Sequence, residues 1–158
     1  MRLLTCLVSC LVPCLAPCLV VAALAAQTSA AAGQAACTAT VTPVSFGAYS
    51  PFLDSPLDST GQVNVTCSET SSYSVAMNAG VNAGGNFANR RMSNGDTFLS
   101  YQLYTDSTRS TIWGDGSGGS MAVSQASPGI STVYARLPAR QSVSAGAFTD
   151  TILVTVTY

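Results

Sequence analysis

Apolar and polar residues alternate in this chain over short runs, and no ten-residue stretch carries a helical period, which confines it to strands and the turns between them. The clearest run is the last nine residues, Asp150 to Tyr158, D-T-I-L-V-T-V-T-Y. Ile152, Val154, Val156 and Tyr158 share one face there, and no turn residue or cap follows. The segment holds neither lysine nor proline, the residues that blunt an edge. It is expected to lie at an open sheet edge that is paired by, or captures, another chain.

Turn clusters divide the rest into similar runs. Cys37, Ala39 and Val41 start a first strand that is expected to continue past Pro43 to Phe46, with Pro43 marking an edge or bulge. Gly47 to Pro51 turns, and Phe52 to Asp58 reads as irregular or a short strand. Gln62 to Cys67 places Val63, Val65 and Cys67 on one face, and Tyr73, Val75 and Met77 alternate before a Gly/Asn-rich loop from Asn78 to Asn89. Asn94-Gly95-Asp96 signals a tight turn. Leu99, Tyr101 and Leu103 fall in a strand from Thr97 to Thr105, and Trp113 leads into the flexible loop Gly114 to Gly119. Met121 and Val123, then Ile130 to Leu137 ended by Pro138, precede the terminal strand. Seven or so such strands indicate an all-β fold, an antiparallel Greek-key sandwich of the immunoglobulin-like type.

The N-terminus is set apart. Met1 and Arg2 precede an uncharged apolar run from Leu3 to Ala26 that contains the small-residue triplet Ala23-Leu24-Ala25, the pattern of a signal peptide over residues 1–26 cleaved somewhere in 25–32. The alternative, an uncleaved anchor, has the length to cross a membrane but is weakened by Pro13 and Pro17. Cys6, Cys10, Cys14 and Cys18 recur every four residues inside this leader and read as apolar filler rather than a metal site. Residues 27–36 form a short, flexible, Ala-rich segment, and 37–158 one domain.

That domain keeps two cysteines, Cys37 and Cys67, an even pair that reads as one disulfide in an exported chain. Closing such a loop is worth roughly 3–4 kcal/mol in the chain-entropy picture. A redox-active thiol pair is the competing reading, unsupported by any C-x-x-C.

Charge excludes several functions. The chain has six Arg, no Lys, no His and seven acidic residues, so it offers no basic patch for nucleic acid and no imidazole for general-base chemistry. The acids are scattered among turns, and Asp115 in G-D-G-S-G-G supplies a single carboxylate where calcium needs several. No catalytic residue, metal site or cofactor is expected, and the chain reads as a non-enzyme.

Several segments taken in order carry a resemblance: A-C-T-A-T-V-T-P-V-S-F-G-A-Y-S-P, P-L-D-S-T-G-Q-V-N-V-T-C, R-R-M-S-N-G, L-S-Y-Q-L-Y-T-D-S-T-R, W-G-D-G-S-G-G and the stretch Tyr134 to Tyr158. Together they resemble the spore coat protein U domain, a family that includes subunits of archaic chaperone–usher pili. The resemblance implies an incomplete immunoglobulin-like fold lacking its last strand. It also implies export to the periplasm, capture by a dedicated chaperone, and passage through an outer-membrane usher. The destination is a surface fibre or coat of like subunits, supporting adhesion and biofilm formation.

On that footing Ile152, Val154, Val156 and Tyr158 are the expected contacts with chaperone or donor strand, the carboxylate of Tyr158 serving as an anchor for a basic chaperone residue. Residues 26–36 contain no apolar side chain larger than alanine. The subunit is therefore expected to accept a strand rather than donate one. The alternative is a self-sufficient carbohydrate- or surface-binding module with Trp113, Tyr49 and Tyr104 as stacking residues in loops.

Overall fold

The computed structural model describes residues 36–52, 54–69 and 72–158. The expected leader, its cleavage site and all but Ala36 of the 27–36 segment lie outside the described residues. Nine strands follow in order: β1 Cys37–Thr42, β2 Leu57–Cys67, β3 Tyr73–Met77, β4 Arg91–Asn94, β5 Thr97–Ser100, β6 Gln102–Tyr104, β7 Val123–Gln125, β8 Gly129–Leu137 and β9 Val154–Thr157. One 3-10 turn, Phe87–Asn89, is capped by the Asn86 side chain.

All strand pairs are antiparallel, in a sheet of order β1-β2-β8-β6, a sheet of order β7-β3-β9 and a β4-β5 hairpin. The first order is the A-B-E-D order of an immunoglobulin constant-type sheet, and β3 and β9 take the C and F places. β7, drawn from between β6 and β8, flanks β3. Among the described residues no strand occupies the G place beside β9.

Alternation builds the core. Val63 and Val65 of β2, Val133 and Ala135 of β8, and Leu103 of β6 face Tyr73, Val75 and Met77 of β3 across the two layers, all buried. Trp113 fills the centre with no exposed surface and donates its indole N–H to the Val75 carbonyl at 3.0 Å. Arg90 is also enclosed. Its guanidinium donates to Gln102 Oε1 and to the carbonyls of Asn78 and Trp113, each at 2.8 Å, so a buried cation ties three segments together without a carboxylate partner. Burial accordingly lowers its pKa from the usual arginine value. Cys37 and Cys67 are directly opposed in the β1–β2 ladder and joined by a disulfide.

Four expectations are corrected. The first strand ends at Thr42, not Phe46, because Pro43 has no N–H for the ladder and the chain there crosses over Gly61. A Cβ at Gly61 would stand 2.7 Å from the Thr42 carbonyl oxygen and 2.9 Å from Val44, so only glycine permits the crossing. β2 starts at Leu57, five residues before Gln62, since Leu57 to Gly61 pair with Val133 to Leu137 of β8. The expected strand Thr97–Thr105 is two strands split at Tyr101, where the chain leaves the hairpin and joins the main sheet. β4 arises where no strand was expected. It is closed onto β5 by the Gly95-Asp96 turn, in which Gly95 takes φ 59°.

Candidate functional site: an open flank between the sheets

Each sheet has two edge strands, β1 and β6 in one and β7 and β9 in the other, and among these β1 and β9 carry residues that line one cavity between the sheets. On β1, Ala39 and Val41 are paired with Val65 and Val63 and share their inward phase. Yet Val63 and Val65 have no exposure and Val41 is 51 % exposed. On β9, Val154 and Val156 oppose Met77 and Val75, both buried, but are themselves half-buried. Inward-facing apolar side chains at both borders thus lack a neighbour on one side.

Two adjoining cavities occupy the gap. One of about 410 Å³ lies between Val41 and Val44 on one wall and Ile152 and Val154 on the other, over a floor of Leu103 and Val133. The second, about 640 Å³, continues past Leu99, Leu137 and Val143. Val44, Phe46, Met92 and Phe148 line both, so they form one long groove.

The C-terminal wall is held by a polar clasp. Asp150 accepts hydrogen bonds from the Tyr101 hydroxyl (2.7 Å), the amides of Val81 (3.1 Å) and Thr151 (2.9 Å), and the Asn82 side chain (3.3 Å). Burial pushes the Tyr101 phenol well above the usual tyrosine value, and its bond to Asp150 adds to the shift, so it remains a donor at any physiological pH. Thr149 exchanges backbone hydrogen bonds with Ser93 of β4, and Asn78 accepts from the Leu153 amide through its side chain. Residues 149–152 are thereby held outside the ladder, while Leu153 keeps one backbone bond, accepting from the Asn78 amide at 3.0 Å. β9 is therefore shorter than the Asp150–Tyr158 strand read from the sequence, and Ile152 and Tyr158 flank it rather than belong to it.

Of the four singled-out residues, Ile152 and Val154 line the groove, and Val156 packs against the core beside Val75. Tyr158 is 58 % exposed beyond the strand end. Sequence reasoning missed the opposite wall, Val41, Val44 and Phe46. Its signal was the break of phase at Pro43, which separates the Ala39/Val41 face from the Val44/Phe46 face.

The stacking trio does not form a loop platform. Trp113 is at the centre of the core, Tyr49 bonds the Gln141 backbone, and Tyr104 lies within β6 opposite Tyr134. Asp115 accepts from the Ser117 amide and hydroxyl, closing the glycine loop on itself.

Fold and flank define an immunoglobulin-like β-sandwich with one strand place open among its described residues. Residues 21–155 match the model of the Spore Coat Protein U domain, and the chain belongs to that family. Protein U of Myxococcus xanthus is 34 % identical over 127 residues, which are 73 % of this chain and 71 % of that protein. Among solved structures, the chain is similar to one in the CsuC–CsuE chaperone–tip adhesion subunit pre-assembly complex from archaic chaperone–usher Csu pili of Acinetobacter baumannii. The TM-score is 0.57 at 24 % identity, over 78 % of this chain and 40 % of that one. That likeness is one of fold.

Proposed function

We propose that this protein is a strand-accepting structural subunit of a surface fibre or coat assembled by the chaperone–usher route. The observation that carries the reading is the uncovered inward face at both borders of the groove, Val41 on β1 and Val154 on β9. An extended segment laid there would hydrogen-bond the free edge of β9 and bury alternate side chains among Val44, Phe46, Met92, Phe148 and Ile152. Each large apolar side chain so buried contributes roughly 1.5–3 kcal/mol. In the periplasm a chaperone supplies the segment, the outer-membrane usher receives the complex, and a neighbouring subunit replaces the chaperone in the assembled structure, which supports adhesion and biofilm formation. Ile152, Val154, Val156 and Tyr158 are the proposed contacts on the acceptor side. Two findings support the reading: family membership, and a fold shared with a chaperone-bound subunit of archaic pili. The small side chains of residues 26–36 favour acceptor over donor.

The test is periplasmic expression of the full chain with and without a periplasmic chaperone of the archaic chaperone–usher class. The chain alone should be recovered poorly, and co-expression should yield a soluble one-to-one complex. Val154→Asp, which sets a charge against Met77 in the groove wall, should remove the stable product from periplasmic immunoblots even with the chaperone present. Full recovery of a monomeric, cooperatively folded chain without any partner overturns the reading.

A further inference from the structure

The outer face of the β1-β2-β8-β6 sheet, on the opposite side from the groove, carries a row of groups that the strand-accepting role does not use. Alternation sends Thr60, Tyr134 and Tyr104 outward in one cross-strand row, because Gly61, Val133 and Leu103 are the neighbouring positions turned inward. Tyr104 and Tyr134 are directly opposed in the ladder and both partly exposed, so the two side chains emerge next to each other on this face. The rows beside them hold Gln62 with Thr132 and Asp58 with Arg136.

Charge at Asp58 is unbalanced. Arg136 grips Asp58 through Nε at 2.7 Å and Nη2 at 2.8 Å. Arg109 brings a second guanidinium to the same carboxylate, its Nε 3.3 Å from Asp58 Oδ1. That Nε is enclosed and makes no hydrogen bond. Nη1 of Arg109 donates to the Ser107 carbonyl, which leaves Nη2 of Arg109 and Nη1 of Arg136 without partners among the described residues. Two cations therefore meet one anion on a chain with no lysine and a net charge of −1.

The second cation is placed by design of its loop. Arg109 sits at φ 58°, in the left-handed region. Its amide bonds the Asp106 carbonyl at 3.1 Å, while the Asp106 carboxylate gathers the Thr108 hydroxyl and the amides of Ser110 (3.1 Å) and Thr111 (2.8 Å). The loop is thereby fixed so that Arg109 reaches across the face to β2.

We propose that this face binds a linear polysaccharide bearing carboxylates, a polyuronate, through Arg109, Arg136 and the Tyr104–Tyr134 pair. Guanidinium donors left free beside Asp58 pair with a uronate carboxylate. The tyrosine rings offer an apolar body for the C–H face of a pyranose and a hydroxyl at the tip. Thr60, Gln62 and Thr132 meet sugar hydroxyls. The groups lie on three adjacent strands, β2, β8 and β6, which at a spacing of ~4.8 Å give a track of ~10 Å for an extended sugar chain. An acidic peptide is disfavoured because it brings no pyranose C–H face to the two tyrosine rings.

Affinity electrophoresis of the full chain as recovered from the periplasm tests this, with polygalacturonate, neutral dextran, dextran sulfate and poly-L-glutamate as the probes. Polygalacturonate should retard the protein and the other three should not. Arg109→Gln and Tyr134→Ala should each weaken retardation by about tenfold. Arg140→Gln, which removes an exposed cation paired with Asp54 at the end of the sandwich, should leave it unchanged. If Arg109→Gln perturbs folding by circular dichroism, Tyr134→Ala carries the same test. Absence of retardation, equal retardation by poly-L-glutamate or dextran sulfate, or an equal loss in Arg140→Gln overturns the proposal. The face lies on the other side of its sheet from the groove, so none of these outcomes bears on strand acceptance.

Discussion

Trp113→Ala is expected to remove most of the cooperative stability of the domain. The indole is wholly enclosed between the sheets, and truncating a buried tryptophan costs about 3–5 kcal/mol. The Val75 carbonyl, which accepts the indole N–H, loses that donor in the centre of the core, adding about 1–3 kcal/mol. Against a total of about 5–15 kcal/mol, that is a large share. Urea titration followed by far-ultraviolet circular dichroism should show the midpoint collapse toward zero denaturant. Trp113→Phe restores most of the volume but not the donor, so it should recover only part of the loss. A variant Trp113→Ala with an unchanged midpoint would mean that the two layers are not held together through this residue.

Appending a turn and an alternating-apolar strand after Tyr158 should have the opposite effect. Such a strand can fold back antiparallel to β9, pair its free edge, and place alternate side chains over Val41, Val44, Phe46 and Ile152. Ordering the strand offsets much of the burial gain. Even a net ~3 kcal/mol would raise the melting temperature by roughly 10 °C in a domain of this size. A control strand with serine or aspartate at the inward positions should leave the midpoint where it was. Calorimetry decides the matter: equal melting for the two fusions would mean that the groove does not accept a strand.

How much of this was legible beforehand depends on where each signal resides. Val63/Val65, Tyr73/Val75/Met77 and Ile130 to Leu137 declared their strands because alternation and turn residues agree there with burial on one face. The Asn94-Gly95-Asp96 turn was equally legible, yet its leading strand was not: Arg91 to Asn94 carries only Met92 as an apolar residue and is a strand because Thr97 to Ser100 pairs with it. The break at Tyr101 was hidden for the same reason. Leu99, Tyr101 and Leu103 keep perfect alternation through a change of sheet that only tertiary contacts reveal. One wall of the groove, Ile152 and Val154, could be read from the terminal run. The other depended on the chain crossing over Gly61, a close approach between residues nearly twenty positions apart that no local pattern encodes. Trp113 was set among loop stacking residues in the alternative reading alone, because a glycine loop follows it, and the fold encloses it.

The arginines have a consequence for anyone handling the protein. Arg90 is enclosed, Arg91 bonds the Asn82 carbonyl, and Arg109 and Arg136 are locked onto Asp58, whereas Arg140 lies on an irregular stretch with its side chain 73 % exposed. With no lysine in the chain, Arg140, between β8 and β9, has the most exposed side chain of the ion-paired arginines, and its bond is the one most open to trypsin among the described residues. A single nick there frees the covalent tether of the groove's C-terminal wall while leaving its hydrogen bonds in place. Whether the clipped peptide stays bound then becomes a direct gauge of how firmly that wall is seated.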